Sequence, residues 1–247
     1  MKENLQYSEE FISPKNGIVR SAGLLYLLII VIGVLNSVFI DAELINHEDI
    51  NLTITNIAAN EFLFRVGIFC SLVLYVMVII LSVLLYLILK NVNKNVALTA
   101  MVFRAGEGLL GAAFALTGFV VLDLLNNRFN MASADNAQIN DIIGALLSAR
   151  TDGLYIVLVL IGIGGTLFLY LFYRSSYVPK ILSVWGMIIY VSMLILPLVK
   201  ILYTDLPRII EMILYGLGTL FELTFGFWLL IGGIDGKAVR EKQITTN

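Results

Sequence analysis

VGIFCSLVLYVMVIILSVLLYLIL, residues 66–89, runs for 24 positions without a single charged side chain. Wound as an α-helix it rises about 36 Å, enough to cross a hydrocarbon core of ~30 Å. A soluble core helix shows one apolar stripe, and this run is apolar on every side. Five further stretches are long and apolar enough to cross as well: Ala22–Ile40, Val96–Leu122, Gly153–Tyr173, Ile181–Val199 and Ile209–Gly232. None shows the short alternating segments of a membrane barrel, so all six read as helices. The expected fold is an all-α bundle of six transmembrane helices in one domain, residues 20–234. A segment 1–19 precedes it and a tail 235–247 follows it.

Composition points the same way. Of the 247 residues, 59% are hydrophobic and 14% charged, with a mean hydropathy of +0.92. A soluble domain carries ~25% charged residues. The net charge of -2 supplies no basic footprint, so nucleic acid is not an expected partner. Cys70 is the only cysteine and sits inside an apolar run, where it reads as a small buried hydrophobe. His47 is the only histidine, which excludes imidazole-cluster metal sites and bis-histidine haem. No cofactor and no metal are implied. The first apolar run exceeds the ~7–15 residues of a signal-peptide core, and Asp41-Ala42-Glu43 follows it in place of a cleavage site.

Orientation follows from lysine and arginine. Lys2, Lys15 and Arg20 at the N-terminal end, Lys90, Lys94, Arg174 and Lys180 at the two short loops, and Lys237, Arg240 and Lys242 in the tail bring ten cations to one side. The opposite side has five: Arg65, Arg128, Arg150, Lys200 and Arg208. Both termini are therefore expected in the cytoplasm, with the bundle in the cell membrane. The third loop, Asp123–Asp152, contains Ile139, Ile142, Ile143, Leu146 and Leu147 at the i, i+3, i+4, i+7, i+8 spacing of an amphipathic helix. Such a helix is expected to lie on the outer interface, either as a connector resting on the membrane or as a lid over a cavity. Pro197 falls near the end of the fifth run, where it costs little.

Within so apolar a chain the charged residues inside the spans carry the information. Arg104 and Glu107 lie in the third run and Glu222 in the sixth, with Glu211 near its outer end. Each charge near a helix centre costs ~2.5–3.5 kcal/mol, while each Leu, Ile, Phe or Val returns ~0.3–0.6. The third helix is thus marginal alone and belongs inside the bundle. Arg104, Gly108, Gly111, Ala115 and Gly118 share one of its faces, and Glu211, Tyr215, Gly218, Glu222 and Gly226 form a stripe on the sixth. The two faces are expected to meet each other or a shared interior. At 1.5 Å per residue Arg104, Glu107 and Glu222 lie ~12–16 Å from the inner ends, close enough in depth for an Arg104–Glu222 pair. Two carboxylates against one guanidinium leave one negative charge, to be met by a proton or a ligand cation. A second, outer polar layer is expected from Glu61, Arg65, Asp152 and Glu211, with Glu61 and Arg65 at ion-pair spacing.

Five segments, "RSAGLLYLLIIVIG" (20–33), "NIAANEFLFRVGI" (56–68), "LYLILKNVNKNVALTAMVFRAGEG" (85–108), "YLFYRSSYVPKILSVWG" (170–186) and "FELTFGFWLLIGG" (221–233), make the chain resemble a bacterial multi-pass membrane family. That family is catalogued only as domain of unknown function number 4386. The resemblance places Glu61, Arg65, Arg104, Glu107, Asp152 and Glu222 at the family's polar motif positions. It implies the membrane fold and supplies no activity, substrate or partner.

Three roles compete for this layout. The leading one binds or transports a small apolar or amphiphilic ligand through the polar interior. Close to it stands a non-catalytic partner or assembly protein held by structural ion pairs. A membrane-embedded enzyme ranks last, since no histidine cluster, acidic metal motif or nucleophile elbow is present. The bilayer is the expected partner, joined in the leading role by a small apolar or amphiphilic ligand, and oligomeric state is left open. The topology makes a direct prediction. In a Cys70→Ser background, cysteines placed at Asn93 and Ser176 are shielded from an impermeant thiol reagent in intact cells, and one at Asn136 is labelled. The inverse pattern reverses the orientation.

Overall fold

The computed structural model describes residues 16–46, 48–128, 135–203 and 207–234. His47, the tail 235–247 and the first fifteen residues of segment 1–19 lie outside the described residues. The chain is helical, and six helices are long and apolar enough to span a membrane: Asn16–Leu44, Glu61–Leu89, Lys94–Asn126, Gln138–Ser175, Lys180–Leu202 and Ile209–Gly232. They are numbered here as spans one to six. The first passes through a π-helical turn at Ser37–Asp41, and the sixth ends in another at Trp228–Gly232.

Each span packs mainly on its neighbours in the chain, and the sixth returns to the first, so the six form a closed ring. Small residues set that last seam. A Cβ on Gly23 would lie 2.7 Å from the Gly226 carbonyl, so only glycine lets these two backbones touch. Gly233, at φ 59, turns the chain out of the sixth span, and the Ile234 amide then donates to Asn16 Oδ1 at 3.2 Å. Both ends of the membrane domain thus meet on one side, called here the terminal face. The opposite side is the distal face.

Two hydrophobic clusters fill the ring. The terminal half is aromatic: Tyr26, Phe172, Phe221 and Phe225 are buried and meet edge-on or stacked, with centroids 5.3–5.6 Å apart between Tyr26, Phe172, Phe221 and Phe225. The distal cluster is aliphatic and comes from spans one to four and a short helix, Ile50–Ala59, whose Ile54 and Ile57 are buried in it. That short helix starts where Asp49 accepts hydrogen bonds from the amides of Asn51 and Leu52, at 2.9 and 3.2 Å. Among the described residues, spans five and six contribute nothing to the distal cluster.

Two sequence expectations are corrected here. The amphipathic segment of the third loop is helical, but it is no separate helix: it continues the fourth span without a break from Asp135 to Ser175, 41 residues and about 60 Å. Gly153 interrupts nothing because the Phe114 ring occupies the space a side chain would take. Ile139 and Ile143 bury their side chains against the Ile50–Ala59 helix and the span ends. Pro197, in turn, lies well inside the fifth span, which runs on to Leu202. It removes the hydrogen bond to the Met193 carbonyl and crowds that group.

The distal cluster sets a test. Ile143 is fully buried and Gln138 exposed. Ile143→Ala is expected to cost about 2–5 kcal/mol and Ile143→Asp more, whereas Gln138→Asp stays within about 0.5 kcal/mol. Thermal unfolding of the purified protein in nanodiscs reads the difference, and equal effects would mean the distal extension is not part of the core.

Candidate functional site

Tyr26, Arg104, Tyr190 and Glu222 each lie ten residues from the terminal-face end of their spans, at Asn16, Lys94, Lys180 and Gly232. At 1.5 Å per residue that is about 15 Å, so four spans deliver polar side chains to one level. Glu107 adds a fifth, one turn further along the third span. Water cannot solvate these groups in a bilayer, so each must find its partner within the ring.

Arg104 finds it on its own helix. Its Nη1 lies 2.7 Å from Glu107 Oε2, with both residues 4% exposed. Glu222 instead accepts a hydrogen bond from the Tyr190 hydroxyl at 2.8 Å. The Tyr26 hydroxyl lies beside that of Tyr190, and the charges of Arg104, Glu107 and Glu222 all reach it. The expected ion pair between Arg104 and Glu222 is therefore replaced, among the described residues, by Arg104–Glu107 and Tyr190–Glu222. Arg104 and Glu222 still feel each other electrostatically across the ring. Spans three and six stand on opposite sides of the ring, and a guanidinium three residues before a carboxylate closes a shorter loop than one reaching across.

The glycine stripe of the third span also has a different partner from the expected one. Gly108, Gly111 and Gly118 face the second span, where the Tyr75 ring lies over Gly111 and Ile68 over Gly118. Close approach to the polar layer is provided by Gly164 and Gly165 of the fourth span. A Cβ at Gly164 would sit 2.8 Å from Arg104 Cγ, and one at Gly165 would sit 2.6 Å from the Tyr190 ring. This glycine pair holds the fourth span between Arg104 and Tyr190. Toward the distal face the Tyr75 phenol carries the layer on, within electrostatic reach of Glu107, Arg150 and Asp41.

Charge in the layer does not cancel. Arg104 and Glu107 neutralise each other, and Glu222 is left with a phenol as its hydrogen-bond partner. It is also only partly buried, whereas Tyr190, Arg104 and Glu107 are buried. An ionised carboxylate in this setting needs a cation or a proton.

The outer residues do not assemble into a second layer. Glu61 and Arg65 pair at 2.6 Å along one helix with side chains 40% and 48% exposed, a geometry worth under about 1 kcal/mol. Asp152 is exposed. Glu211 pairs with Lys200 of the fifth span, whose ammonium also lies 4.7 Å above the Tyr155 ring. The Arg208 side chain lies outside those described. Sequence reasoning missed Tyr26, Tyr190 and Lys200. The shared ten-residue depth would have found the two tyrosines, and nothing in the spacing pointed to Lys200.

A family model described as Domain of unknown function (DUF4386) matches residues 21–233. No curated protein and no solved structure matches the chain.

The pairing yields a prediction. Arg104→Ala strands Glu107 and is expected to cost about 3–5 kcal/mol. Adding Glu107→Gln recovers much of that loss, whereas adding Glu222→Gln recovers little. Unfolding of the single and double variants in detergent measures both couplings, and equal recovery from the two would show that Arg104 is shared evenly.

Proposed function

The chain belongs to the family described as Domain of unknown function (DUF4386), and from that premise we propose that it is a multi-pass membrane protein whose polar interior binds a small apolar or amphiphilic ligand. The terminal face is read as cytoplasmic, from ten cations against five, and the membrane as the cell membrane. The distal extension of the fourth span, with the Ile50–Ala59 helix packed on it, is read as a cap over the outer end of the bundle.

One observation carries the ligand reading. The buried pair Arg104–Glu107 balances its own charge, so among the described residues Glu222 forms no ion pair of its own. A residue whose job is to hold the bundle together needs a partner, and Glu222 has only the Tyr190 hydroxyl. Ionisable groups inside a membrane are costly, and one left over is kept for what it binds. The Arg104–Glu107 pair itself favours the second role, a partner or assembly protein with structural ion pairs, because it is buried and neutralises itself. Both features coexist if the pair is scaffold and Glu222 is the site.

Glu222→Gln separates the two roles. It preserves shape and the acceptor for Tyr190 while deleting the charge. A binding site retained at the expense of stability predicts an unchanged or raised melting temperature for the empty protein in nanodiscs. It also predicts loss of any small molecule that co-purifies with the wild type in native mass spectrometry. A fall of several degrees with no change in bound material would assign Glu222 to the scaffold.

A further inference from the structure

Beside the seam between spans five and six, near the distal face, lies a groove of about 370 Å³ lined by Ser192, Leu196, Val199, Ile210, Leu214 and their apolar neighbours. Its volume falls within the ~300–1,000 Å³ of small-molecule sites. Exposed Ile195 and Ile213 place its mouth on the outside of the ring, toward the bilayer. Among the described residues neither span joins the distal cluster, and Pro197 breaks the hydrogen-bond ladder of the fifth beside the groove.

What lies behind it gives the groove its direction. Leu196 and Leu214 adjoin Met193 and Gly218, one helical turn nearer the polar layer, and the next turn carries Tyr190 and Glu222. Met193 closes over Gly218, where a Cβ would collide with its methyl group. That contact lies one helical turn from the groove and one from the carboxylate. Methionine is the most adaptable of apolar side chains, and the Met193 carbonyl is the one that Pro197 deprives of its hydrogen bond.

We infer that this groove admits an amphiphile with one alkyl chain and a protonated amine head, which passes Met193 and pairs with Glu222 while its chain remains in the groove. The inference rests on the ligand-binding reading above and names its ligand class. Charge selects the head group: Arg104 and Glu107 cancel, Lys200 and Glu211 at the distal end of the seam cancel, and Glu222 remains. An anionic head would meet that surplus negative charge. An ammonium would also lie near the rings of Tyr190 and Tyr26, whose faces attract cations. Among the described residues, the ionisable groups within electrostatic reach of Glu222 are Arg104 and Glu107 from the third span, Tyr26 from the first and Tyr190 from the fifth.

Full-length protein in zwitterionic nanodiscs is titrated with dodecylamine, dodecanol and dodecanoate, in a Trp228→Phe background so that Trp185 reports. Trp185 packs edge-on against Phe221, the residue before Glu222. Dodecylamine is expected to bind about tenfold more tightly than dodecanol, and dodecanoate weakest. Glu222→Gln should abolish the amine preference and leave dodecanol binding intact. The preference should also fade as pH falls, since protons compete with the ammonium for one carboxylate. Met193→Ala should speed amine entry, and Gly218→Leu should slow it. Equal binding of all three probes, unchanged in Glu222→Gln, overturns the inference. Preference for dodecanoate also overturns it, yet leaves the interior as a ligand site with Arg104 as its anchor. Unaltered entry rates in both gate variants would remove the groove as the route.

Discussion

A charge in hydrocarbon has no water to turn to, and this ring is built around that constraint. Its buried arginine, Arg104, finds a carboxylate three residues along the same helix. The carboxylate of the sixth span finds a phenol of the fifth. The glycines of the fourth span are where they are because Arg104 and Tyr190 need room on either side of it. The rest, an aromatic cluster below and an aliphatic cluster above, seals the layer from both membrane faces.

Much of this could be read from the amino acids. Six uninterrupted apolar runs leave a chain no other way to satisfy its backbone, so span number and helical character follow directly. The depth of Arg104, Glu107 and Glu222 was legible for a similar reason, since rise per residue is fixed. Pairing was not. Arg104 lies within reach of two carboxylates, and whether it takes the near or the far one depends on which helices are neighbours. That order is a property of the ring, and no single helix records it. Periodicity has the same blind spot: the Ile139–Leu147 stripe shows that one face is buried, but lipid and protein bury it equally well.

Tyrosine marks another limit. Tyr26 and Tyr190 are two of eleven tyrosines, most of them at places where an amphipathic ring is at home in any membrane protein. Their hydroxyls matter only because they share a level with Glu222. Lys200 illustrates the converse, a cation counted toward orientation whose ammonium in fact lies between Glu211 and Tyr155.

Arg104 and Glu107 being on one helix has a bearing on biogenesis. A translocon releases spans in order, and the third must partition before spans four to six exist. An internal pair lets it do so already neutral, without waiting for a partner from a later span. Glu222 arrives with the last helix, when Tyr190 is already in place to receive it. Five of the six interfaces join consecutive spans and can form as each hairpin emerges. Only the seam of Gly23 with Gly226, fastened by Asn16 and Ile234, has to wait for the end of synthesis. Arg104 thus enters the bilayer beside its own partner, and the ring shuts in a single closing step.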